Sequence, residues 1–360
     1  MAGTIGILTS GGDCPGLNAV IRAAAYRAVR GHGLTLIGIE NSTEGLLQRP
    51  VAARELLPDA LEPQSLRAAG TMLGTTTRGD PFAYPMPDGT RLDRTAEMIE
   101  GVRSLGLDAL IAIGGDGSLR ILRRLAAEGG IELVGVPKTI DNDVAMTEVS
   151  VGFDTAMRVA TEALDALQPT AASHHRVMIL EVMGRDAGHI ALASGIAGGA
   201  DVILIPEIPY TVAAIAGKLA RLHAAGRTSA LVIVAEGVPD EDGSPVTTRQ
   251  PGGTDTYGGI GQRLAHRLAD ETGARTRVTV LGHLQRGAAP SPRDRMIASA
   301  FGTHAVDLVA QGRFDRMVAW QNRSVIDVPL GEAIASTRRV ETDGSLVATA
   351  RGLDICLGDV

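Results

Sequence analysis

The segment VPKTIDNDV, residues 136–144, places Lys138, Thr139, Asp141 and Asp143 directly after an apolar run. In phosphoryl transfer, one carboxylate can take the proton of the attacking hydroxyl while another holds a metal ion on the phosphates. A lysine can bind phosphate oxygens as a point charge. If the segment is extended, residues 139, 141 and 143 share one face. These residue types and this spacing favour phosphoryl-transfer chemistry.

Two glycine-rich segments follow apolar runs in the same way, TSGGDCPGLN at 9–18 and IGGDGS at 113–118. Glycines between a strand and a helix let the backbone approach a ligand, and the helix N-terminus attracts an anion such as phosphate. Asp116 would then place a carboxylate beside the phosphate, where Mg²⁺ usually binds. Tight strand–helix turns and a helix-capping Asp116 would use the same residues, so each segment alone leaves both interpretations open.

A fourth segment, EVMGRDAGH at 181–189, follows the apolar run RVMILEV. Arg185 could stabilise charge on a transferring phosphoryl group, and Met183 with Gly184 could form the floor of a binding site. Arg185 could equally be a surface residue at a helix start, and Met183 alone is more typical of a core.

A fifth segment, RTRVTVLGHLQRG at 275–287, contains Arg277, His283 and Arg286. Cations clustered at a strand end in an acidic protein indicate a second phosphate, such as the one that a sugar phosphate carries. His283 taken alone is more typical of a structural histidine.

The elements that must position these segments are predicted by hydrophobic periodicity. Short apolar runs alternate with stretches of helical spacing, as in parallel strands covered by helices. The predicted strands are TIGILT, LTLIGI, ALIAIGG, IELVGV, RVMILEV, ADVILIP, ALVIVAE and VTVLG. The predicted helices span about 17–30, 92–104, 118–128, 154–167, 187–198, 211–224, 258–272 and 293–311. We expect a surface loop at the polar segment 240–257, which contains Pro and Gly.

Composition narrows the class of protein. With 360 residues, 44% of them hydrophobic, the chain can form a sizeable core and is long enough for two domains. A net charge of −7 argues against a nucleic-acid partner. The absence of a signal-like start and of an apolar run near the ~20 residues of a membrane span predicts a cytoplasmic protein without a membrane partner. Cys14 and Cys356 have neither metal-ligand spacing nor a disulfide framework, which favours a reducing compartment.

In this order, the segments TSGGDCPGLN, GGDGS, PKTIDND, SVGFDTA, VMGRDAGH, IPE and LGHLQRGAAP resemble the phosphofructokinase family across residues 4–295. The resemblance implies two similar, doubly wound α/β domains with largely parallel sheets and an active site in the cleft between them. It implies a phosphoryl-donor domain for ATP and Mg²⁺ at residues 1–152 plus about 286–335, and a sugar-phosphate domain at 153–285 plus about 336–360. It also implies a homo-oligomer, usually a tetramer.

The activity that the resemblance implies is transfer of the γ-phosphoryl of ATP to the 1-hydroxyl of fructose 6-phosphate, which gives fructose 1,6-bisphosphate in glycolysis. Asp141 would be the base with Thr139 beside it, and Arg185 would contact the transferring group. Asp116 and Asp143 would bind Mg²⁺, with Asp143 also facing the substrate. The other implied contacts are Gly11, Arg78, Gly115, Gly117, Ser118 and Lys138 for the donor, Met183, Gly184 and Glu236 for fructose, His283 and Arg286 for its 6-phosphate, and Arg176 and Arg277 for that phosphate from the neighbouring subunit.

Two positions disagree about the phosphoryl donor. Gly117 resembles the ATP-using members of the family, whereas Lys138 resembles the pyrophosphate-using members. An aspartate at position 117 would put charge and bulk in the path of the nucleotide's α-phosphate, whereas Lys138 can serve a phosphate of either donor. We therefore predict ATP, with pyrophosphate as the alternative. The mixed pair resembles an actinobacterial-type branch that generally uses ATP.

Other classes explain less of the pattern. Lipid and NAD kinases share a GGDGT-like loop but not PKTIDND, VMGRDAGH and LGHLQRG together. A non-catalytic nucleotide sensor predicts a lost carboxylate, whereas Asp141 and Asp116 are both intact. Gln168 stands where an effector-binding arginine would be expected, so we do not expect control by ADP or phosphoenolpyruvate at such a site. Activity on sedoheptulose 7-phosphate stays open, because spacing does not define the pocket beyond Glu236.

Overall fold

The alternating apolar runs and helical stretches form strands and helices in a computed structural model that describes residues 3–78, 80–249 and 255–359. The strands are β1 Thr4–Thr9, β2 Thr35–Ile39, β3 Ala53–Glu55, β4 Tyr84–Pro85, β5 Arg91–Leu92, β6 Ala109–Gly114, β7 Leu133–Pro137, β8 Val177–Val182, β9 Val202–Leu204, β10 Ala230–Ala235, β11 Thr247–Arg249, β12 Asp255–Tyr257, β13 Thr276–Val280, β14 Arg316–Gln321 and β15 Ser324–Pro329. The helices are α1 Leu17–Tyr26, α2 Thr43–Leu46, α3 Thr95–Ser104, α4 Asp116–Gly129, α5 Phe153–His174, α6 His189–Ala197, α7 Val212–Ala224, α8 Ile260–Thr272, α9 Leu284–Gly287, α10 Pro292–Ala310, α11 Leu330–Ala333 and α12 Ser345–Gly352.

The chain divides into two compact units. Unit 1 consists of Met1–Thr155 and Arg286–Thr337, and unit 2 consists of Ala156–Gln285 and Arg338–Val360. The assignment of the donor to one domain and of the sugar phosphate to the other stays a prediction.

Unit 1 is built on a mostly parallel sheet with the strand order β15-β14-β7-β6-β1-β2-β3. The strands from β14 to β2 are parallel to their neighbours, and β15 and β3 are antiparallel edge strands. Helices α3 and α4 share a buried cluster with Leu110 and Ala112 of β6. Helix α10 packs on β6, β7 and β14 and against α1. Gly302 permits the close approach of α10, because a Cβ there would lie 2.3 Å from the Val20 carbonyl oxygen.

Unit 2 is built on a parallel sheet with the strand order β13-β8-β10-β9. Every residue of β8 and β10 is buried, as expected for strands covered on both faces. Helix α6 packs on β9 and β10, and helix α8 packs on β8 and β13. The predicted α/β class with largely parallel sheets is therefore confirmed. Within the described ranges, no helix is long and apolar enough to span a bilayer.

Several elements differ from the sequence predictions, and the short strands β3, β4 and β5 and the helices α2, α9, α11 and α12 were not predicted. Helix α5 continues through Pro169 to His174 instead of ending near 167, and buried Ala171 packs its last turns onto the core. The predicted loop at 240–257 contains an antiparallel pair, β11 and β12, while Gln250–Thr254 lie outside the described residues. Strands β14 and β15 were not predicted, because β15 is largely half-exposed and has no continuous apolar run.

Asp294, in the first turn of α10, is fully buried beside the start of α5. Its carboxylate accepts hydrogen bonds from Gly152 N at 3.0 Å, from Thr155 N at 2.8 Å and from the Thr155 hydroxyl. Burial raises the pKa of the Asp294 carboxyl, and the hydrogen bonds from Thr155 and Gly152 oppose that shift. One carboxylate thus joins the beginnings of two helices.

We expect Asp294→Asn to lower the free energy of unfolding by about 1–3 kcal/mol, because its amide NH2 would face buried backbone N–H donors. Urea unfolding followed by circular dichroism measures this loss. The control Asp270→Asn changes an exposed position of α8 and should shift the free energy by less than about 0.5 kcal/mol. Equal stability of Asp294→Asn and the unmutated protein would contradict the proposed junction.

Candidate active site

Three of the predicted segments begin at the same edge of the unit 1 sheet. Strands β1 and β6 pair in parallel with Thr9 opposite Ile113, and β6 and β7 pair with Gly114 opposite Pro137. The loops that leave these strands therefore emerge side by side, as they do at the ligand-binding edge of open α/β sheets.

The glycine loop, residues 10–13, follows β1 and lies against the start of α4. Gly11 has φ +84°, and a Cβ there would lie 2.6 Å from Ser118 Oγ. Gly11 N donates to Thr76 O at 2.9 Å, which places the segment leading to the exposed Arg78 beside the loop. The structure therefore brings together Gly11 and Ser118, both predicted donor contacts, with the Arg78 segment adjacent.

The GGDGS loop ends β6 and starts α4, with Gly115 as the residue that precedes the helix. A Cβ on Gly117 would meet no atom within 4 Å, so the space beside this residue is open. A Cβ at position 117 would therefore fit without displacing any protein atom. Asp116 is the first residue of α4, is partly exposed, and lies 3.6 Å from Arg120 Nη2.

Lys138 is buried beneath the glycine loop. Its ammonium donates to Ser10 O at 2.8 Å and to Gly12 O at 2.5 Å. Burial, together with the positive charge of Arg286, lowers the pKa of Lys138 to about 8. The structure therefore bonds this lysine to the backbone of the glycine loop, while its predicted contact with the donor stays a prediction.

The PKTIDND loop turns sharply. The spacing of its residues had suggested an extended segment, which the structure does not show. Residues 140 and 141 form a turn, and Asn142 has φ +56°. Thr139, Asp141 and Asp143 therefore do not share one face of an extended strand. The turn itself brings them together, because Thr139 Oγ1 donates to Asp141 Oδ2 at 3.3 Å and accepts from Asp141 N at 3.1 Å. Asp141 and Asp143 are both buried.

Asn142 and Ser150 fix this turn, although neither residue was predicted to have a role. Asn142 Oδ1 accepts from Ser150 N at 2.9 Å, and Asn142 Nδ2 donates to Glu148 O at 3.2 Å. The Ser150 hydroxyl donates to Thr139 O at 2.7 Å. The available signal was an asparagine between two aspartates, because asparagine tolerates the left-handed conformation. These bonds hold the backbone on both sides of Asp141.

Asp116 and Asp143 are the predicted ligands of Mg²⁺. Within residues 3–78, 80–249 and 255–359, no group of three or more His, Cys, Asp or Glu side chains could hold a metal ion. Mg²⁺ in phosphate sites usually takes only one or two carboxylates and fills its other positions with phosphates and water. A Cβ on Gly115 would lie 3.5 Å from Lys138 O, so the loops that carry Asp116 and Asp143 are adjacent. The two carboxylates fit Mg²⁺ that arrives with a phosphate ligand.

In unit 2, the MGRD loop after β8 contacts the end of β10. Gly184 has φ +149°, and a Cβ there would lie 2.6 Å from Ala187 O. Arg185 N donates to Glu236 Oε1 at 3.3 Å, and a Cβ on Gly237 would overlap Arg185 O at 1.7 Å. The structure therefore brings Gly184, Arg185 and Glu236 together, while their predicted contacts with the sugar and the phosphoryl group stay predictions.

Two further residues hold this loop. Met183 N donates to Gln285 Oε1 at 2.8 Å, and Gln285 is fully buried. Glu207 accepts from Gly188 N at 3.0 and 3.1 Å and from Val340 N at 2.9 Å. Gln285 and Glu207 lie in the motifs LGHLQRG and IPE, but no role was predicted for either residue.

The predicted phosphate-binding cations occupy different places. Partial burial and the charges of Arg277 and Arg275 lower the pKa of Arg176, so these arginines lie close together in unit 2. His283 is exposed in the same unit. Arg286 belongs to unit 1, where its Nη1 donates to Asp13 O at 2.8 Å in the glycine loop.

Comparison with known proteins agrees with this arrangement. The family model for phosphofructokinase matches residues 4–309. The chain is 60% identical over 355 residues to ATP-dependent 6-phosphofructokinase 1 of Synechocystis sp., across 99% of this chain and 98% of that protein. It is 59% identical to ATP-dependent 6-phosphofructokinase 1 of Nostoc sp., with the same 99% and 98% coverage.

A solved structure shows the same fold at lower identity. Pyrophosphate-dependent phosphofructokinase from Nitrosospira multiformis superposes with a TM-score of 0.80 at 21% identity, covering 100% of this chain and 93% of that chain. Because the family model matches most of the chain and two bacterial relatives are about 60% identical to it, the chain belongs to the phosphofructokinase family.

Proposed function

We propose that this protein is an ATP-dependent 6-phosphofructokinase, which transfers the γ-phosphoryl of ATP to the 1-hydroxyl of fructose 6-phosphate. The observation that carries the proposal is the meeting of the buried Asp141–Thr139 turn with two glycine-rich loops at one sheet edge. The relatives that are about 60% identical carry the same activity in their names.

Asp141 is the group that takes the proton from the sugar's 1-hydroxyl. Its carboxylate is held by Thr139, and Asn142 and Ser150 fix the backbone on either side. Fixed orientation matters because a base must lie within hydrogen-bond reach of the proton that it takes. Asp116 and Asp143 would hold Mg²⁺, which when bound would supply neutralising charge for the donor phosphates. Arg185 contacts the transferring phosphoryl group.

Fructose 6-phosphate binds to the residues predicted to contact it and to a neighbouring copy of the chain. Met183, Gly184 and Glu236 hold the sugar, and His283 and Arg286 bind its 6-phosphate. The exposed Arg277, with Arg176 close to it, reaches the same phosphate in a partner subunit. This assignment requires a homo-oligomer, which we propose is a tetramer.

Gly117 accounts for the choice of ATP. Open space beside this residue leaves a path for the nucleotide's α-phosphate, and an aspartate there would meet that phosphate with a like charge. Pyrophosphate-dependent relatives share the fold, so the fold itself does not select the donor. Lys138 is bonded to the glycine loop and is compatible with either donor.

We expect phosphorylation of fructose 6-phosphate with ATP and Mg²⁺ to exceed that with equal pyrophosphate by at least about 100-fold, because Gly117 leaves the nucleotide path open. Gly117→Asp should reduce kcat/KM for ATP by about 100-fold, and Gly117→Ala, which adds bulk without charge, by much less. Initial rates with each donor measure both effects. A faster rate with pyrophosphate alone would mean that the enzyme uses that donor.

We expect Asp141→Asn to reduce kcat by about 10²-fold to 10⁴-fold, because the amide cannot take the proton of the attacking hydroxyl. The KM for fructose 6-phosphate should change little. Steady-state kinetics, with direct binding of the sugar phosphate as the control for folding, measure the two effects separately. Weakened sugar binding with turnover retained would remove Asp141 from the role of base.

Mixed oligomers test whether a partner subunit supplies Arg277. We expect Arg277→Ala to raise the KM for fructose 6-phosphate about tenfold or more, because it removes a charge-assisted bond to phosphate. Hybrids of Arg277→Ala and Asp141→Asn subunits should regain activity, because one site of such a pair receives both intact residues. Activity of the hybrids that never exceeds the sum of the two parents would place Arg277 in its own subunit's site.

A further inference from the structure

Lys138 holds two carbonyl groups of the glycine loop at once. Its Nζ donates to Ser10 O and Gly12 O at 2.8 and 2.5 Å, and its side chain is only 3% exposed. A Cβ on Gly11 would lie 3.3 Å from the same Nζ, so the ammonium packs directly under the loop.

The other two carbonyls of the loop are also bonded to side chains. The Thr75 hydroxyl donates to Gly11 O at 2.6 Å, and Arg286 Nη1 donates to Asp13 O at 2.8 Å. All four consecutive carbonyl oxygens of residues 10–13 therefore accept a hydrogen bond from a side chain.

This arrangement determines which side of the backbone a ligand meets. In a planar trans peptide, the C=O and the following N–H point in opposite directions. Carbonyl oxygens repel a phosphate, whereas N–H groups attract it. Because Gly11 and Gly12 let their peptides rotate freely, the loop needs side-chain bonds to keep its carbonyls turned away from an anion.

Both lysines of the chain are buried and donate to backbone carbonyls. It contains two lysines, Lys138 and Lys218, among 34 lysines and arginines, and the two are 3% and 4% exposed. Lys218 Nζ, in unit 2, donates to the carbonyl oxygen and the carboxylate of Asp354. A compact ammonium directs three N–H donors and can bond two closely spaced carbonyls, whereas a guanidinium is planar and wider.

We propose that Lys138 is a positioning residue that fixes the carbonyls of Ser10 and Gly12, so that the N–H of Asp13, which follows the Gly12 carbonyl, faces the phosphates of ATP, while the N–H of Gly11 is bonded to Thr76 O. It orders the loop before any donor binds and does not select between ATP and pyrophosphate. This inference rests on the proposed function. The ammonium is mostly protonated at neutral pH, because burial lowers the pKa of Lys138 only to about 8.

The two cysteines report on the two lysines in the ligand-free protein. Cys14 follows the glycine loop, donates to Val151 O at 3.2 Å, and has a pKa raised to about 12 by burial, so its alkylation should be slow. Cys356 lies two residues beyond Asp354, the partner of Lys218, and is also buried. Each lysine therefore has its own neighbouring thiol.

We expect Lys138→Ala and the volume-preserving Lys138→Met to speed alkylation of Cys14 by N-ethylmaleimide about tenfold or more, because the loop opens more easily. Cys356 should react as in the unmutated protein. The matched control Lys218→Ala should produce the opposite pattern, with faster alkylation of Cys356 only. Peptide mass spectrometry of the ligand-free full chain measures both thiols in one sample.

In steady-state assays, both Lys138 variants should raise the KM for ATP about tenfold or more and leave the KM for fructose 6-phosphate within about twofold. n-Propylammonium, which replaces the atoms lost in Lys138→Ala, should restore part of the affinity for ATP in that variant and not in Lys138→Met. Lys218→Ala should keep the KM values of the unmutated enzyme.

Unchanged alkylation of Cys14 in both Lys138 variants would overturn the positioning role, and a raised KM for ATP with that result would mean direct contact with the donor. An improved kcat/KM for ATP in Lys138→Gly would show that the lysine favours pyrophosphate, which also overturns the inference. An unmutated protein without ATP-dependent activity on fructose 6-phosphate would remove the proposed function instead, whereas the thiol measurements would still report on the loop.

Discussion

The parallel pairing of β1, β6 and β7 is the constraint on which the donor side of this phosphofructokinase-family protein depends. Adjacent parallel strands end at the same edge of a sheet, so three loops far apart in sequence emerge together. The register of these buried, aliphatic strands is strongly specified, because a one-residue slip would move every side chain to the opposite face of the sheet. Glycines at the ends of β1 and β6 then allow the loops to approach each other more closely than side chains would permit.

Hydrogen bonds to buried polar groups give these loops a single conformation. Asn142 and Ser150 hold the turn that carries Asp141, and Lys138 bonds the glycine loop from below. In unit 2, Glu207 ties the end of the MGRDAGH segment to the C-terminal region. A buried polar group costs free energy unless it is bonded, so each of these side chains disfavours any arrangement that would break its contacts.

Gly117 and Lys138, whose residue types suggest different phosphoryl donors, have different surroundings in the structure. The space beside Gly117 is open, so a substitution there would not overlap protein atoms near its Cβ, and its proposed effect is on the donor. The charge of Lys138 is already bonded to two backbone carbonyls, so its first effect is on the protein. A residue type that is characteristic of pyrophosphate-using relatives is therefore compatible with ATP when the fold bonds it in this way.

The sequence by itself determined the strands β1, β6, β8 and β10 and the helices between them, because buried parallel strands are continuous apolar runs that end at glycine or a charged residue. It also predicted site roles for Asp141, Asp116 and Arg185 through motifs whose order is specific, and those roles stay predictions. Only the tertiary structure decided that Lys138 bonds to carbonyls up to 128 residues away, that the PKTIDND loop turns at Asn142, and that α5 continues beyond Pro169. Those outcomes depend on strand order and on contacts distant in sequence, which no local periodicity encodes.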